Sequence, residues 1–538
     1  MSGPVLEIRG LTIPLPPGAD RPHAVEDLSL TVAPGETVCL VGESGSGKSL
    51  TAFSIMGLQP SRHMRPAAGS SIRLLGEELV GAGAARLRAL RGSRMAMIFQ
   101  EPMTALNPVA SVGEQIAEVL RWHAGRLSAG ESRERVLRLM NDVRLPDPAA
   151  MAHAYPHQLS GGQRQRIMIA MALALDPALL IADEPTTALD VTTQAQILTL
   201  LRDLKTRRDT GMLFITHDFG VVREIADRVL VMRAGRLVEQ GSADAVLNRP
   251  THPYTKLLIA AVPDAVPPPR DAPVGAPILT VKALAKTYGG HGLMRRQRQV
   301  SAVADAGFTI RRGEILGVVG ESGSGKSTLA RCVARLIEPS GGSILLDGVD
   351  IAILPERRLR PLRRRVQLVF QDPYRSLNPR QAVGASIIEG PRNFGMPRAE
   401  AVAKARELMG LVGLDPDALD RLPHQFSGGQ RQRLCIARAL ALGPDLLIAD
   451  EAVSALDVSV QAQVLDLLDD LRRRLDLAIL FITHDLRVAA RLCDTIAVMQ
   501  AGRIVEQGAA AEIFARPRHA YTKALFAASP GRREPATA

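Results

Sequence analysis

Aromatic side chains make up only 3% of this 538-residue chain, with one tryptophan and five tyrosines, so Leu, Val, Ile and Ala have to build the core. At 46% hydrophobic residues the material for burial is ample. Cysteine is scarce as well. Cys39, Cys332, Cys435 and Cys493 stand alone, without a C-x-x-C pair or a histidine ladder. That pattern excludes a disulfide framework, a zinc ribbon and an iron–sulfur cluster, and suits a reducing cytosol. Long hydrophobic runs are missing too: the longest, residues 167–175, stops at Asp176 and Pro177, far short of the roughly 20 residues that cross a bilayer. The opening MSGPVLEIRG has no basic stretch followed by an apolar core, so no export signal is expected. Acidic residues are the minority, 55 against 66 Lys and Arg, for a net charge of +11. Such an excess points either to an anionic partner or to plain solvated arginine, and the basic stretches 295–299, 363–365 and 472–474 carry the same two readings.

What is present is a repeat. The octapeptide GESGSGKS occurs as Gly42, Glu43, Ser44, Gly45, Ser46, Gly47, Lys48 and Ser49, and again as Gly320, Glu321, Ser322, Gly323, Ser324, Gly325, Lys326 and Ser327. In a G-x4-G-K-[ST] loop the glycines let backbone N–H groups turn around a phosphate, the lysine adds a mobile charge, and the final hydroxyl is suited to Mg²⁺. Further pairs follow at nearly constant spacing: Lys48 and Lys326 are 278 apart, Gln100 and Gln371 are 271, and Ser160/Ser427, Asp183/Asp450 and His217/His484 are each 267. Two copies of one domain are therefore expected, residues 1–262 and 278–538. Between them, residues 263–277 (PDAVPPPRDAPVGAP) are proline-rich and read as a semi-extended tether that reaches roughly 50 Å in polyproline form.

Within each half the pattern is α/β. Apolar runs at 37–41 and 179–182 predict buried parallel strands, and helices are expected to open at Lys48 and beyond Asp190. The phosphate loop then lies where a strand passes into a helix, whose N-terminus favours an anion. Residues 101–175 and 372–442 turn more helical and predict an inserted subdomain in each half. The runs LLIADE end their strands in adjacent carboxylates, Asp183–Glu184 and Asp450–Glu451. Burying such a pair is costly without a cation or a shared proton. Asp183 and Asp450 are assigned to a Mg²⁺ shell together with the loop hydroxyls of Ser49 and Ser327. Glu184 and Glu451 are assigned to the attacking water.

The third repeated element is LSGGQRQR at 159–166 and FSGGQRQR at 426–433. A serine before two glycines is also an ordinary helix cap. In this order after a phosphate loop, however, Ser160, Gly161, Gly162, Gln163 and Ser427, Gly428, Gly429, Gln430 resemble the signature of ATP-binding cassette (ABC) proteins. The resemblance implies two tandem P-loop ABC ATPase domains and two composite ATP sites, each loop facing the signature of the other half. It further implies that Gln100 and Gln371 are the Q-loop glutamines, which join the Mg²⁺ shell and sense the γ-phosphate, that Asp190 and Asp457 lie in the loop linking the sites, and that His217 and His484 contact the γ-phosphate. Tyr288 matches the aromatic residue that stacks on adenine, where the first half offers Leu15. Pro185 and Thr186 are replaced by Ala452 and Val453 in the second half.

The tails RPTHPYTKLLIAAVP (249–263) and RPRHAYTKALFAASP (from 516) are similar to the C-terminal extension of oligopeptide/dipeptide importer ATPases, including the fused tandem subunits of the microcin C and glutathione kind. Tyr and Leu at this spacing also suit a simple helix staple. This resemblance implies two permease subunits and an extracytoplasmic peptide-binding protein as partners, no nucleic acid, no metal cluster, and a peripheral place on the cytoplasmic face of the inner membrane. The alternative is a soluble tandem-cassette ATPase acting on ribosomes or nucleic acid.

Overall fold

A computed structural model describes residues 3–61, 63–123, 127–187, 189–270, 274–289, 299–454 and 456–529. Residues 295–298 of the first basic stretch lie outside them. The chain divides near residue 260 into two compact units.

In the first unit a six-stranded sheet runs in the order Arg236–Ser242, Arg228–Arg233, Thr37–Val41, Gly211–Thr216, Leu179–Asp183, Met95–Ile98. All neighbours pair in parallel except the outermost hairpin of Arg228–Arg233 with Arg236–Ser242. The central strands TVCLV and LLIAD are buried at every position. This is the reason they read as unbroken apolar runs: a parallel sheet covered on both faces leaves no polar side. A second, four-stranded antiparallel sheet, ordered His23–Val32, Leu6–Pro14, Ser71–Leu74, Glu77–Glu78, was not foreseen in the sequence. Its apolar face packs with Ala52, Ile55 and Met56 of the phosphate-loop helix and with Val38 and Leu40 of the central strand.

The second unit repeats both sheets. The parallel sheet has the order Val366–Val369, Leu446–Asp450, Ala478–Thr483, Ile315–Val319, Thr495–Gln500, Arg503–Ala509. One face of Ile315–Val319 meets the antiparallel sheet through Leu316 and Val318, and the other meets the helical layer through Ile315 and Val319.

The insertions are helical in both units, with Val112–His123, Ala129–Asp142 and Gly161–Ala172 in the first and Val383–Asn393, Arg398–Leu411 and Gly428–Leu440 in the second. The proline-rich seam forms neither helix nor strand at 263–270 and 274–276. Its end is nonetheless bound to the second unit, because Pro277 opens the strand Pro277–Tyr288 and pairs with Arg311. The semi-extended tether expected over 263–277 is corrected at this last residue, which is already part of a strand: a proline is tolerated as the first residue of a strand, where its missing N–H removes no ladder bond. Arg270 is ion-paired to Asp494 at 3.2 Å and donates to the Arg491 carbonyl at 2.8 Å. Among the described residues no helix is long and apolar enough to cross a membrane.

Candidate active site

Parallel pairing aligns strand ends, and here it gathers the predicted residues at one edge. Val41 pairs with Thr216, and Asp183 with Ile215. Gly42, His217 and Glu184 therefore leave neighbouring strands at the same end, where α/β sheets carry their sites. The second unit does the same through Val319 with Thr483 and Asp450 with Ile482.

The loop itself needs its glycines. A Cβ on Gly47 (φ 102°) would stand 2.6 Å from the Ala24 carbonyl oxygen, and one on Gly325 (φ 104°) 2.1 Å from that of Ala302. These two also cap the helices Lys48–Met56 and Lys326–Val333. Lys48 is buried, its Nζ donating to the carbonyls of Gly42 and Glu43 at 2.7 and 2.8 Å. Lys326 donates to Gly320 and Glu321, both at 2.7 Å. Burial holds Lys326 below the ordinary lysine value. Ser49 Oγ donates to Asp183 Oδ1 at 3.1 Å, and Ser327 Oγ to Asp450 Oδ1 at 3.0 Å.

The two glutamates share an uncommon backbone. Glu184 has φ 46° and Glu451 φ 50°, a left-handed conformation that is disfavoured for residues other than glycine. Side chains along a strand alternate between faces. The kink ends the strand, so that Asp183 meets Ser49 while Glu184 meets a different set. Gln100 Nε2 donates to Glu184 Oε2 at 2.9 Å, and His217 Nδ1 lies 3.2 Å from Oε1. In the second unit Gln371 donates to Glu451 at 2.7 Å and His484 Nδ1 lies at 3.3 Å.

Burial and charge split each pair. Burial pushes Asp183 up to about 6, against the hydrogen bond from Ser49. Burial also works on Glu184, but His217, Thr187 and Lys48 outweigh it and hold the carboxyl at about 2. Burial raises Asp450, whereas His484 and Lys326 outweigh it at Glu451 and lower that carboxyl. Burial disfavours a charged His484, yet the hydrogen bond and charge of Glu451 raise its pKa.

Ser160 and Ser427 cap the helices Gly161–Ala172 and Gly428–Leu440 in capping boxes with Gln163 and Gln430. The ordinary cap and the signature motif are thus the same structure. The second glycine permits close packing: a Cβ on Gly162 would lie 2.5 Å from Thr193 Cγ2, and one on Gly429 2.1 Å from Val460 Cγ1. Tyr288 is 44% exposed at its strand end, under the Lys286 ammonium at 5.2 Å, while Leu15 packs partly into the core.

Four contributors were missed in the sequence. Thr187 Oγ1 donates to Glu184 Oε2 at 3.0 Å. Arg21 donates to the Gly45 carbonyl at the loop apex. Tyr254 and Tyr521 reach the loops from the tails. Only the tyrosines carried a signal, their recurrence in both tails.

The family described as "ABC transporter" matches residues 25–187 and 303–454, more than half of the chain. The chain belongs to the ABC transporter family. Its tails match a second family, "Oligopeptide/dipeptide transporter, C-terminal region", at 238–286 and 505–537. This ABC ATPase is 48% identical to the glutathione import ATP-binding protein GsiA of Salmonella typhimurium (strain LT2), over 98% of this chain and 89% of that one. To the protein of the same name from Escherichia coli (strain K12) it is 47% identical, over 98% and 90%. Among solved structures it is similar to the ATP-binding cassette MJ0796 bound to ADP and Pi, with 28% identity, TM-score 0.40, and 44% of this chain and 98% of that chain covered. It is likewise similar to cbiO1 from Clostridium perfringens, with 30% identity, TM-score 0.40, and 45% and 91% covered. As an ABC ATPase the chain binds and hydrolyses ATP.

Proposed function

We propose that this ABC ATPase is the energy-coupling subunit of an importer for peptides or peptide-like cargo such as glutathione. It would sit peripherally on the cytoplasmic face of the inner membrane, with two permease subunits and an extracytoplasmic binding protein. The observation that carries the reading is the pair of tails matching the oligopeptide/dipeptide C-terminal region, each following a complete set of loop, carboxylates and histidine. A soluble ATPase acting on ribosomes gives those tails no purpose.

In each half the loop N–H groups and Lys48 or Lys326 would bind the ATP phosphates. The donor set of hydroxyl, carboxylate and amide oxygen at Ser49, Asp183 and Gln100, and at Ser327, Asp450 and Gln371, is all oxygen, which suits Mg²⁺, and Asp183 is buried at 3% exposure with Ser49 donating to it. When bound, the ion would offset negative charge on the transferred phosphoryl group. Glu184 and Glu451 are held ionised and would accept a hydrogen bond from the attacking water, fixing its direction. His217 and His484 would orient those carboxylates and meet the γ-phosphate. Catalysis is then positioning and charge stabilisation with no covalent enzyme intermediate. The signature serines of one half would complete the site of the other, which makes hydrolysis a means of opening and closing a clamp.

The test is Glu184→Gln combined with Glu451→Gln. ATP turnover is expected to vanish while nucleotide binding persists, and uptake of labelled glutathione or dipeptide into vesicles holding the full importer is expected to stop with it. Robust turnover in that variant would end the assignment of the glutamates; turnover lost without any effect on peptide uptake would end the importer reading.

A further inference from the structure

The helix that closes each half touches the phosphate loop of the same half. Tyr254, in the helix Pro253–Ala261, is 6% exposed, and its hydroxyl accepts the backbone N–H of Glu43 at 3.4 Å. Tyr521, in the helix Ala520–Ala527, accepts the N–H of Glu321 at 3.1 Å. The N–H of Glu43 and the C=O of Gly42 belong to one planar peptide unit. That same carbonyl seats Lys48 at 2.7 Å, and the Gly320 carbonyl seats Lys326 at 2.7 Å. Each unit is gripped at both edges, by the lysine on one side and by the tail tyrosine on the other. A rotation of the plane breaks both bonds together.

The tails are themselves fastened. Glu239 accepts the N–H and the hydroxyl of Thr251 at 2.7 and 2.8 Å and the N–H of His252 at 3.2 Å. Glu506 accepts the N–H groups of Arg518 and His519 at 2.7 and 3.0 Å. His252 Nδ1 accepts the N–H of Tyr254 at 3.1 Å, and His519 Nδ1 that of Tyr521 at 3.2 Å. In each tail the histidine opens the helix that carries the tyrosine, and the carboxylate ties that opening to the strand behind it.

We infer that Tyr254 and Tyr521 are positioning residues for ATP: through one hydroxyl, each C-terminal extension sets the orientation of the peptide unit that seats the loop lysine, and so sets nucleotide affinity in its own half. The inference rests on the reading of the two loops as the ATP sites. A tail that only closes a core needs the ring and not the hydroxyl, and phenylalanine separates the two.

The experiment uses the full chain with Tyr254→Phe and Tyr521→Phe together. Binding of a fluorescent ATP analogue, the ATP concentration at half-maximal turnover, kcat at saturating ATP and the melting temperature are measured side by side. Losing one net hydrogen bond per loop is expected to weaken binding about fivefold, raise KM by the same factor and leave kcat in place, the pattern of a lost contact that is equal in ground and transition states. Glu239→Gln with Glu506→Gln, remote from the loops, is expected to shift affinity in the same direction. Lys48→Ala with Lys326→Ala tests the underlying reading: undiminished nucleotide binding in that variant removes the loops as ATP sites. If the lysine variant loses nucleotide while the phenylalanine variant binds as the parent does, the coupling is overturned. It is equally overturned if kcat and melting temperature fall in the phenylalanine variant with affinity unchanged. Should the double variant fail to fold, each single phenylalanine variant is read by the same four measurements.

Discussion

Thr187 and Ser454 hold the same place after their glutamates and spend their hydroxyls differently. Thr187 donates to the Glu184 carboxylate at 3.0 Å, whereas Ser454 donates to the Glu451 backbone carbonyl at 3.0 Å. Glu184 thereby gains a fixed donor on the oxygen that also faces Gln100, and the two catalytic candidates are not equivalent. Phosphate release in a single turnover should expose this. With the second half silenced by Glu451→Gln, Thr187→Val is expected to slow the first site about fivefold, the net worth of one hydrogen bond. With the first half silenced by Glu184→Gln, Ser454→Ala should leave the second site nearly unchanged. Equal losses in both arms would remove the distinction. Pro185 and Thr186 against Ala452 and Val453, the visible difference in the sequence, are all buried and add no donor to either carboxylate.

The tail helices make their contribution through an acid. Burial raises the Glu239 carboxyl, but the donors of Thr251 and His252 outweigh it and hold it at about 2, below the ordinary 4.5. A carboxyl depressed in the folded state stabilises fully above the unfolded value and loses that contribution as pH falls toward the folded one. The difference in urea midpoint between the parent and Glu239→Gln is therefore expected to be constant above pH 5 and to shrink between about pH 4.5 and 2. A difference that stays flat over that range would remove Glu239 as the fastening. The sequence made the parallel strands, the loop-to-helix passage, the helical insertions and the carboxylate–histidine sets legible, because each rests on local periodicity or on a motif repeated at fixed spacing. The antiparallel sheet escaped it: Glu77–Glu78 and Ser71–Leu74 are too short to show a period of two, whereas the alternation along His23–Val32 was legible and was missed. The reach of Tyr254 to Glu43 spans 211 residues. Only the closure of the sheet brings such positions together, and no local pattern encodes it. The staple reading of the tails was right and incomplete: Leu258 and Leu525 are buried as a staple requires, while the tyrosines do more.

For the whole chain the decisive proposition is the head-to-tail completion of each loop by the other half's signature. Thiol cross-linking tests it in a Glu184→Gln, Glu451→Gln background with ATP and Mg²⁺. The native cysteines are all buried, so engineered ones report selectively. Ser44→Cys with Gly428→Cys is expected to join through a short bifunctional reagent, and Ser44→Cys with Gly161→Cys to remain apart. The reverse outcome would mean that each half closes on itself. The seam between the halves has its own consequence, for how the gene tolerates being divided. Arg270 is 18% exposed and faces Asp494, itself 6% exposed, and Asp469, so this stretch of polypeptide travels with the second half. Two separate polypeptides parted just ahead of Val262 would leave that half wearing its own strap. Parted after Ala276, the same half would lose a half-buried cation, and Asp494, buried at 6% exposure, would keep the more distant Arg472 at 3.7 Å, a costly change for an acid shielded from water.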